Sequence, residues 1–366
     1  MPPPSPGRFR RSTPRRSTRR STGTAPSVAL AGAGYIAVVH ALAAQSAGMT
    51  VRSVASRGGA SARHLAGELD ARKVTPEALP DGADIMIVAA PSQFHVPLAL
   101  QGLDAGALVL VEKPLATTLA GADRLVQAVT DRSGVLRCAE NLLHAPIWQR
   151  AMELRPALGT LGHLSLRTLQ PPPDWGHFRE PLTFGGVLFD LGPHALALAL
   201  GLAAETVIGV RAALGSARDD GADDDARVEL RFESGLIATI EVSWVSDHTV
   251  WEAQAASALG VLRMELLPEV RLEFSGEPVE VPLRHTGVEP MLEQFGYVDQ
   301  LLDLVARDPN RPGQRVEAAR DVLEVICAAY ASAASAHDGV GDGLGDEVTV
   351  PTAFDRTRTP MSLWRG

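Results

Sequence analysis

Cysteine is scarce in this 366-residue chain: Cys138 and Cys327 stand far apart and form no CxxC pair. That number and spacing exclude a disulfide framework and a cysteine-held zinc, suggest no metal site, and fit a reducing, cytoplasmic compartment. Basic residues are in deficit as well. The formal net charge is −9, and the first 22 residues carry seven Arg and no acid, so the remainder stands at −9 − 7 = −16. Such a body offers no basic face to a nucleic acid. Internal repeats are absent. The apolar run Ser27 to Ala44 has about the minimum length for a membrane span. Gly32 and Gly34 inside it have another use, described below, and no membrane association is expected.

What is present describes a soluble two-domain protein, with 45% hydrophobic residues and mean hydropathy near zero. Residues 1–26 are mostly Pro, Arg, Ser and Thr with almost nothing to bury, and are expected to form a disordered arm. The Arg-Arg pairs ahead of Ser27 leave a twin-arginine export signal as the alternative, although its removal would delete the first strand. From residue 27 to 140, apolar strand-like runs alternate with helical patterns: Ser27–Ala31, Thr50–Ala55, Ile85–Ala90, Leu108–Val111 and Gly134–Ala139. This alternation implies an α/β domain with a doubly wound parallel sheet. From 141 to 338 the texture changes. Helices are expected at Pro146–Leu158, from Gly185 on to Leu202, at Pro290–Arg307 and at Val316–Ser335, the last two closing this domain. Between them lie period-two segments, Val207–Leu214, Arg227–Phe232, Leu236–Trp244, Trp251–Ala256 and Val261–Leu266, which read as a mainly antiparallel sheet. Asp219 to Asp225 reads as an acidic loop and 339–366 as a weakly structured tail.

Four stretches carry chemistry. Gly32-Ala-Gly34-Tyr35-Ile36-Ala37 sits between a strand and a helix. Gly32 permits the tight turn, Gly34 lets the backbone approach a pyrophosphate, and the helix N-terminus offers N–H groups. After the second strand, where a carboxylate usually takes the ribose hydroxyls, the chain has Ser56 and Arg57. With no acid to repel a 2′-phosphate and a guanidinium to meet it, NADP(H) is expected over NAD(H). Glu112-Lys113-Pro114 ends a buried strand, the place where open α/β sheets bind ligands, and Pro114 stiffens the turn. Asp190 and His194 lie four apart, on one face of a helix that Pro193 makes irregular. Gly185 and Gly186 before them allow close approach of a ligand or another backbone.

Together these stretches resemble the Gfo/Idh/MocA oxidoreductases, over roughly Val28 to Ala336. The likeness rests on GAGYIA (32–37), PSQFH (91–95), EKP (112–114) and GGVLFDLGPH (185–194). It implies a Rossmann domain followed by an α/β domain whose open sheet forms a homodimer or homotetramer contact. The catalytic Lys, Asp and His of the family fall on Lys113, Asp190 and His194. Dinucleotide contacts are implied at Gly32, Gly34, Tyr35, Ile36, Ser56, Arg57, Pro91, His95, Glu112 and Lys113. His194 is expected to move the proton, since an ordinary imidazole pKa of about 6.5 suits a base or an acid. Asp190 is expected to hold the substrate hydroxyl or orient the imidazole, and Lys113 to stabilise charge on the reacting oxygen. Trp175, His177 and Arg179 are candidates for contact with a small sugar-like substrate, with plain packing as the alternative. One departure is Ser92, where many members have Asn. Activity is expected on a carbinol or carbonyl carbon of a sugar, polyol, cyclitol or ketosugar. A non-catalytic sensor of dinucleotide or sugar and an exported glucose–fructose-type enzyme are the alternatives.

Overall fold

The apolar runs become strands wherever both faces can be covered. The computed structural model describes residues 25–172, 184–216, 221–285, 287–307, 315–336 and 343–366. The N-terminal arm, expected to be disordered, lies outside the described residues up to 24. Strands β1 (Ser27–Ala31), β2 (Thr50–Ala55), β3 (Arg72–Lys73), β4 (Ile85–Val88), β5 (Leu108–Glu112) and β6 (Leu136–Ala139) pair in parallel in the order β3-β2-β1-β4-β5-β6. Helices α1 (Tyr35–Ser46), α2 (Gly59–Glu68), α3 (His95–Asp104) and α4 (Leu119–Arg132) make the crossovers. Strand order reverses between β1 and β4, which opens a crevice at their carboxyl ends.

Helix α5 (Pro146–Leu154) leads into the second domain. It gives way at Arg155 to a 3₁₀ turn, because Pro156 has no N–H for a helical bond. The second sheet comprises β7 (His163–Leu169), β8 (Val207–Gly215), β9 (Asp225–Phe232), β10 (Ile237–Ser243), β11 (Val250–Ser257), β12 (Gly260–Leu267), β13 (Arg271–Phe274), β14 (Glu277–Val279) and β15 (Val348–Thr349). Its order is β14-β13-β12-β11-β7-β10-β9-β8-β15, antiparallel except between β7 and β10. Helices α6 (Val187–Asp190) and α7 (Gly192–Ala203) lie against its inner face. The core is continuous across the domains, with Met86, Val109 and Leu119 in one cluster with Leu196, Leu164 and Ile240. The outer face alternates Arg and Glu, as in Arg167 between Glu241 and Glu252.

Two expectations need correction. Residues 290–307 are two helices, α8 (Pro290–Gln294) and α9 (Tyr297–Ala306). Between them Gly296 has φ +77, and a Cβ there would stand 2.2 Å from the Asn141 carbonyl oxygen. They do not close the second domain. Leu292, Val298, Leu301 and Leu304 are buried with Val28, Leu30 and Ile85, covering the first sheet beside α1. Their apolar stripe reads from sequence, but not which sheet it meets.

The tail is ordered from 343 on. It adds β15 to the edge of β8 and ends in α11 (Pro360–Arg365), whose N-terminus Thr359 caps. Arg356 grips Asp123 on α4 with two hydrogen bonds of 2.7 and 2.8 Å. Thr352 donates its N–H and hydroxyl to Glu324, both at 2.9 Å, and Glu324 is buried on α10 (Val316–Ala333). A chain ending at residue 342 would leave Glu324 with Arg320 alone and would uncover the face of α10 on which β15 and α11 pack. Lost hydrogen bonds and lost apolar cover together should lower Tm by about 5–10 °C. Differential scanning calorimetry checks this, and an unchanged Tm would show the tail to be dispensable.

Candidate active site

Lys113 projects from the end of β5, and the turn that holds it is braced from inside. The carboxylate of Glu112 points inward, accepting from His40 Nε2 at 2.7 Å and from the Lys113 N–H at 3.0 Å. Burial favours the neutral acid, but the His40 hydrogen bond and charge outweigh it and keep Glu112 below the usual carboxylate range. His95 is also buried. Its Nδ1 lies 2.8 Å from the Pro114 carbonyl and its Nε2 2.8 Å from that of Ala90. Burial lowers its pKa against the pull of those two carbonyls. Glu112 and His95, expected as dinucleotide contacts, therefore commit their side-chain polar atoms to protein partners. What they set is the position of Lys113.

Across from this turn, the helix carrying Asp190 and His194 is interrupted. In a continuous α-helix the His194 N–H would bond the Asp190 carbonyl. Here it bonds Leu191 O at 3.2 Å, next to Pro193. The freed Asp190 carbonyl accepts from Lys113 Nζ at 2.9 Å, and its carboxylate accepts from the same nitrogen at 2.8 Å. Burial works against the ammonium, yet the charges of Asp190 and Glu112 hold Lys113 above the ordinary lysine range. A lysine so held stays protonated at neutral pH, which makes it a hydrogen-bond donor and excludes it as a base.

The start of α6 is anchored by a residue that sequence reasoning missed. The Asp223 carboxylate accepts from the N–H groups of Gly186 (2.7 Å) and Leu188 (2.8 Å), and its carbonyl from Val187 (2.8 Å). Tyr330 donates its hydroxyl to the same carboxylate at 2.5 Å. Burial still pushes the Asp223 carboxyl above the usual range. A Cβ on Gly186 would stand 1.8 Å from Asp223 O, so this glycine admits another backbone, one of the two uses open to it in sequence. Asp223 belongs to what reads as an acidic loop, yet its side chain is wholly buried.

The imidazole of His194 is oriented by Glu140 and not by Asp190. Glu140 directly follows β6, is buried, and places Oε1 2.6 Å from His194 Nδ1. The indole of Trp251 flanks the ring at 5.8 Å between centroids, and its own N–H is buried with no partner among the described residues. Nothing local in the sequence singles out Glu140, because it meets its partner 54 residues away. A stronger signal for Lys113 was available: it and Lys73 are the chain's two lysines.

At the other end of the crevice, Gly32 turns with φ +133. Ser56 and Arg57 follow β2, and the Arg57 guanidinium stacks 4.0 Å over the Phe94 ring. Pro91 precedes the turn Ser92–Phe94, while Tyr35 and Ile36 open α1. Trp175, His177 and Arg179 lie outside the described residues. Among the described residues no cluster of three or more His, Cys, Asp or Glu could hold a metal ion.

Residues 27–140 match the oxidoreductase family with an NAD-binding Rossmann fold, and 151–267 match the GFO/IDH/MocA C-terminal domain. The chain belongs to the Gfo/Idh/MocA family of oxidoreductases. It is 32% identical over 294 residues to a protein of Amycolatopsis mediterranei (strain S699), provisionally named the UDP-kanosamine synthase oxidoreductase subunit. That match covers 69% of this chain and 79% of the other. The D-xylose 1-dehydrogenase [NADP(+)] of Haloarcula marismortui is 24% identical over 261 residues, covering 66% and 72%. The crystal structure of GenD2 from gentamicin A biosynthesis in complex with NAD superposes with a TM-score of 0.76 at 28% identity. There the match spans 93% of this chain and 99% of that one.

The Gfo/Idh/MocA cofactor is a nicotinamide dinucleotide, and the loop of this chain fits one. A Cβ on Gly34 would meet nothing within 4 Å, so the space a pyrophosphate needs is open in front of it. A Cβ on Gly32 would stand 2.2 Å from the Ala89 carbonyl oxygen. The two glycines should therefore separate on mutation. Gly34→Val should keep the wild-type Tm and lose dinucleotide affinity by calorimetric titration. Gly32→Ala should lower Tm itself, since both its φ and its neighbour exclude a side chain. Equal thermal behaviour of the two variants would refute the distinction.

Proposed function

We propose that this protein is an NADP(H)-dependent dehydrogenase or reductase acting on a CH–OH or C=O carbon of a sugar, polyol, cyclitol or ketosugar derivative. The observation that carries the reading is one cluster at the strand ends: Lys113 bonded to Asp190, beside His194 bonded to Glu140. It sits on the same sheet edge as a glycine loop with room for a dinucleotide. The bound nicotinamide supplies the hydride acceptor in oxidation and the donor in reduction. His194 takes the hydroxyl proton in oxidation and returns it in reduction. Lys113 donates to the reacting oxygen, where negative charge grows, and Asp190 keeps the ammonium aimed. Sugar derivatives are the favoured class because the relatives' names point to sugars.

Preference for NADP(H) rests on Ser56 and Arg57 in place of a ribose-binding carboxylate. The relatives divide, one bearing NADP(+) in its name and one solved with NAD. The charged outer face of the second sheet is our choice for a homodimer or homotetramer contact. The two unpaired, buried cysteines favour a cytoplasmic location.

Turnover across a sugar and cyclitol panel with NADPH tests the reading. Tight NADPH binding without any turnover would favour a non-catalytic sensor. His194→Ala should lower kcat by about 10²–10⁴ and leave NADPH affinity nearly intact. An unchanged rate would remove His194 from the proton step. Arg57→Ala should weaken NADPH by about 10–100-fold, the scale of a charge-assisted hydrogen bond, and barely affect NADH. Equal Kd values for the two cofactors in the wild type would overturn the preference.

A further inference from the structure

We infer that Glu140 is the positioning residue of this site: its buried carboxylate holds the His194 imidazole with the proton on Nδ1 and leaves Nε2 for the substrate hydroxyl. The inference rests on the proposed proton role of His194. An ionised carboxylate accepts hydrogen bonds and donates none, so at 2.6 Å the hydrogen must sit on Nδ1. That holds for the neutral ring and for the imidazolium alike. Trp251 restricts the ring from the side, and Asp190, the nearest carboxylate in sequence, is engaged with Lys113 Nζ. His194 is thus a fixed tautomer before substrate arrives. In oxidation the substrate O–H would break with its proton bound at Nε2 and the C=O bond would form as the carbon gives up its hydride, for which a bound nicotinamide would be the acceptor. The imidazolium formed then faces a counter-charge already in place, and Glu140 itself takes no proton.

A second feature makes the pair testable. Glu140 borders a groove of about 1160 Å³ between α5, α7 and α10. The groove is otherwise lined mainly by apolar side chains such as Leu143, Met152 and Leu200, and its rim includes the exposed Glu153 and Asp321. Cutting back the Glu140 side chain should therefore join its carboxylate position to this groove and admit a small anion from solvent.

Four readouts decide. Glu140→Ala and Glu140→Gln should lower kcat by about 10²–10³ with KM and dinucleotide Kd within about twofold. The pH profile of kcat should change form in both. Excess formate should restore Glu140→Ala by about tenfold, the worth of one charge-assisted hydrogen bond, and leave the wild type unaffected. In proton NMR without substrate, the downfield Nδ1–H signal of His194, assigned by its loss in His194→Ala, should vanish in Glu140→Ala and return with formate. This last readout needs no turnover, so it stands even if the sugar reading fails. Near wild-type kcat in either variant, or an Nδ1–H signal indifferent to Glu140, would overturn the inference. So would a folded Glu140→Ala enzyme that formate cannot restore in rate or in resonance.

Discussion

The structure is arranged around a single ammonium group. Lys113 Nζ is bonded to Asp190, and its charge and those of Asp190, Glu112 and Glu140 act on one another across the cluster. Removing a charge from water is expensive unless partners replace the water, and here each partner is itself held by something else. Glu112 is tied to His40, Asp190 is set by the broken helix, and that helix is anchored at its start by Asp223. Many of the unusual features of the chain serve this one arrangement. Pro193 interrupts a helix so that the Asp190 carbonyl can turn to the lysine. Gly186 lacks a side chain so that the Asp223 backbone can reach the start of α6.

This arrangement divides the labour of the site. A lysine kept above its ordinary range is a permanent donor, suited to an oxygen that gains negative charge. It cannot also take the proton, and the group proposed for that task, His194, has a carboxylate partner separate from that of the lysine. Had Asp190 served both, protonation of the imidazole would have competed with Lys113 for one carboxylate. With one carboxylate to each, the lysine and the imidazole do not share a hydrogen-bond partner.

The first domain was largely legible because its signals are local. Strand runs, a glycine turn and Glu-Lys-Pro each report on a few consecutive residues, and parallel strands buried on both faces read as plain apolar runs. The spacing of Asp190 and His194 also reads correctly, but the break between them changes what it means. The family resemblance implied that Asp190 holds the substrate hydroxyl or orients the imidazole, whereas its freed carbonyl and its carboxylate are both bonded to Lys113. Glu140 and Asp223 were illegible for a different reason: each is one acid among many, and only the fold brings it to a partner 54 or 35 residues away. The destinations of α8, α9 and the tail were hidden likewise, since an apolar stripe states that a face is buried without stating against what.

Both bonded pairs of the cluster cross from one domain to the other. Lys113 and Glu140 follow strands β5 and β6 of the first sheet, and their partners Asp190 and His194 belong to α6 and α7 under the second. The constellation therefore exists only while the domains are docked. Swinging them apart would break both pairs at once and strand several charges in a half-buried cleft, a cost added to that of parting a continuous apolar core. Helix α10 packs on α4 and on β8 together, and the tail binds α4 through Arg356 while extending the second sheet through β15. These contacts lie away from the catalytic cluster and oppose the same motion. Lys113 and His194, the proposed donor and base, are thereby fixed relative to each other before any substrate binds, and an electrostatic site gains most from such fixed geometry because little reorganisation is left for the reaction step.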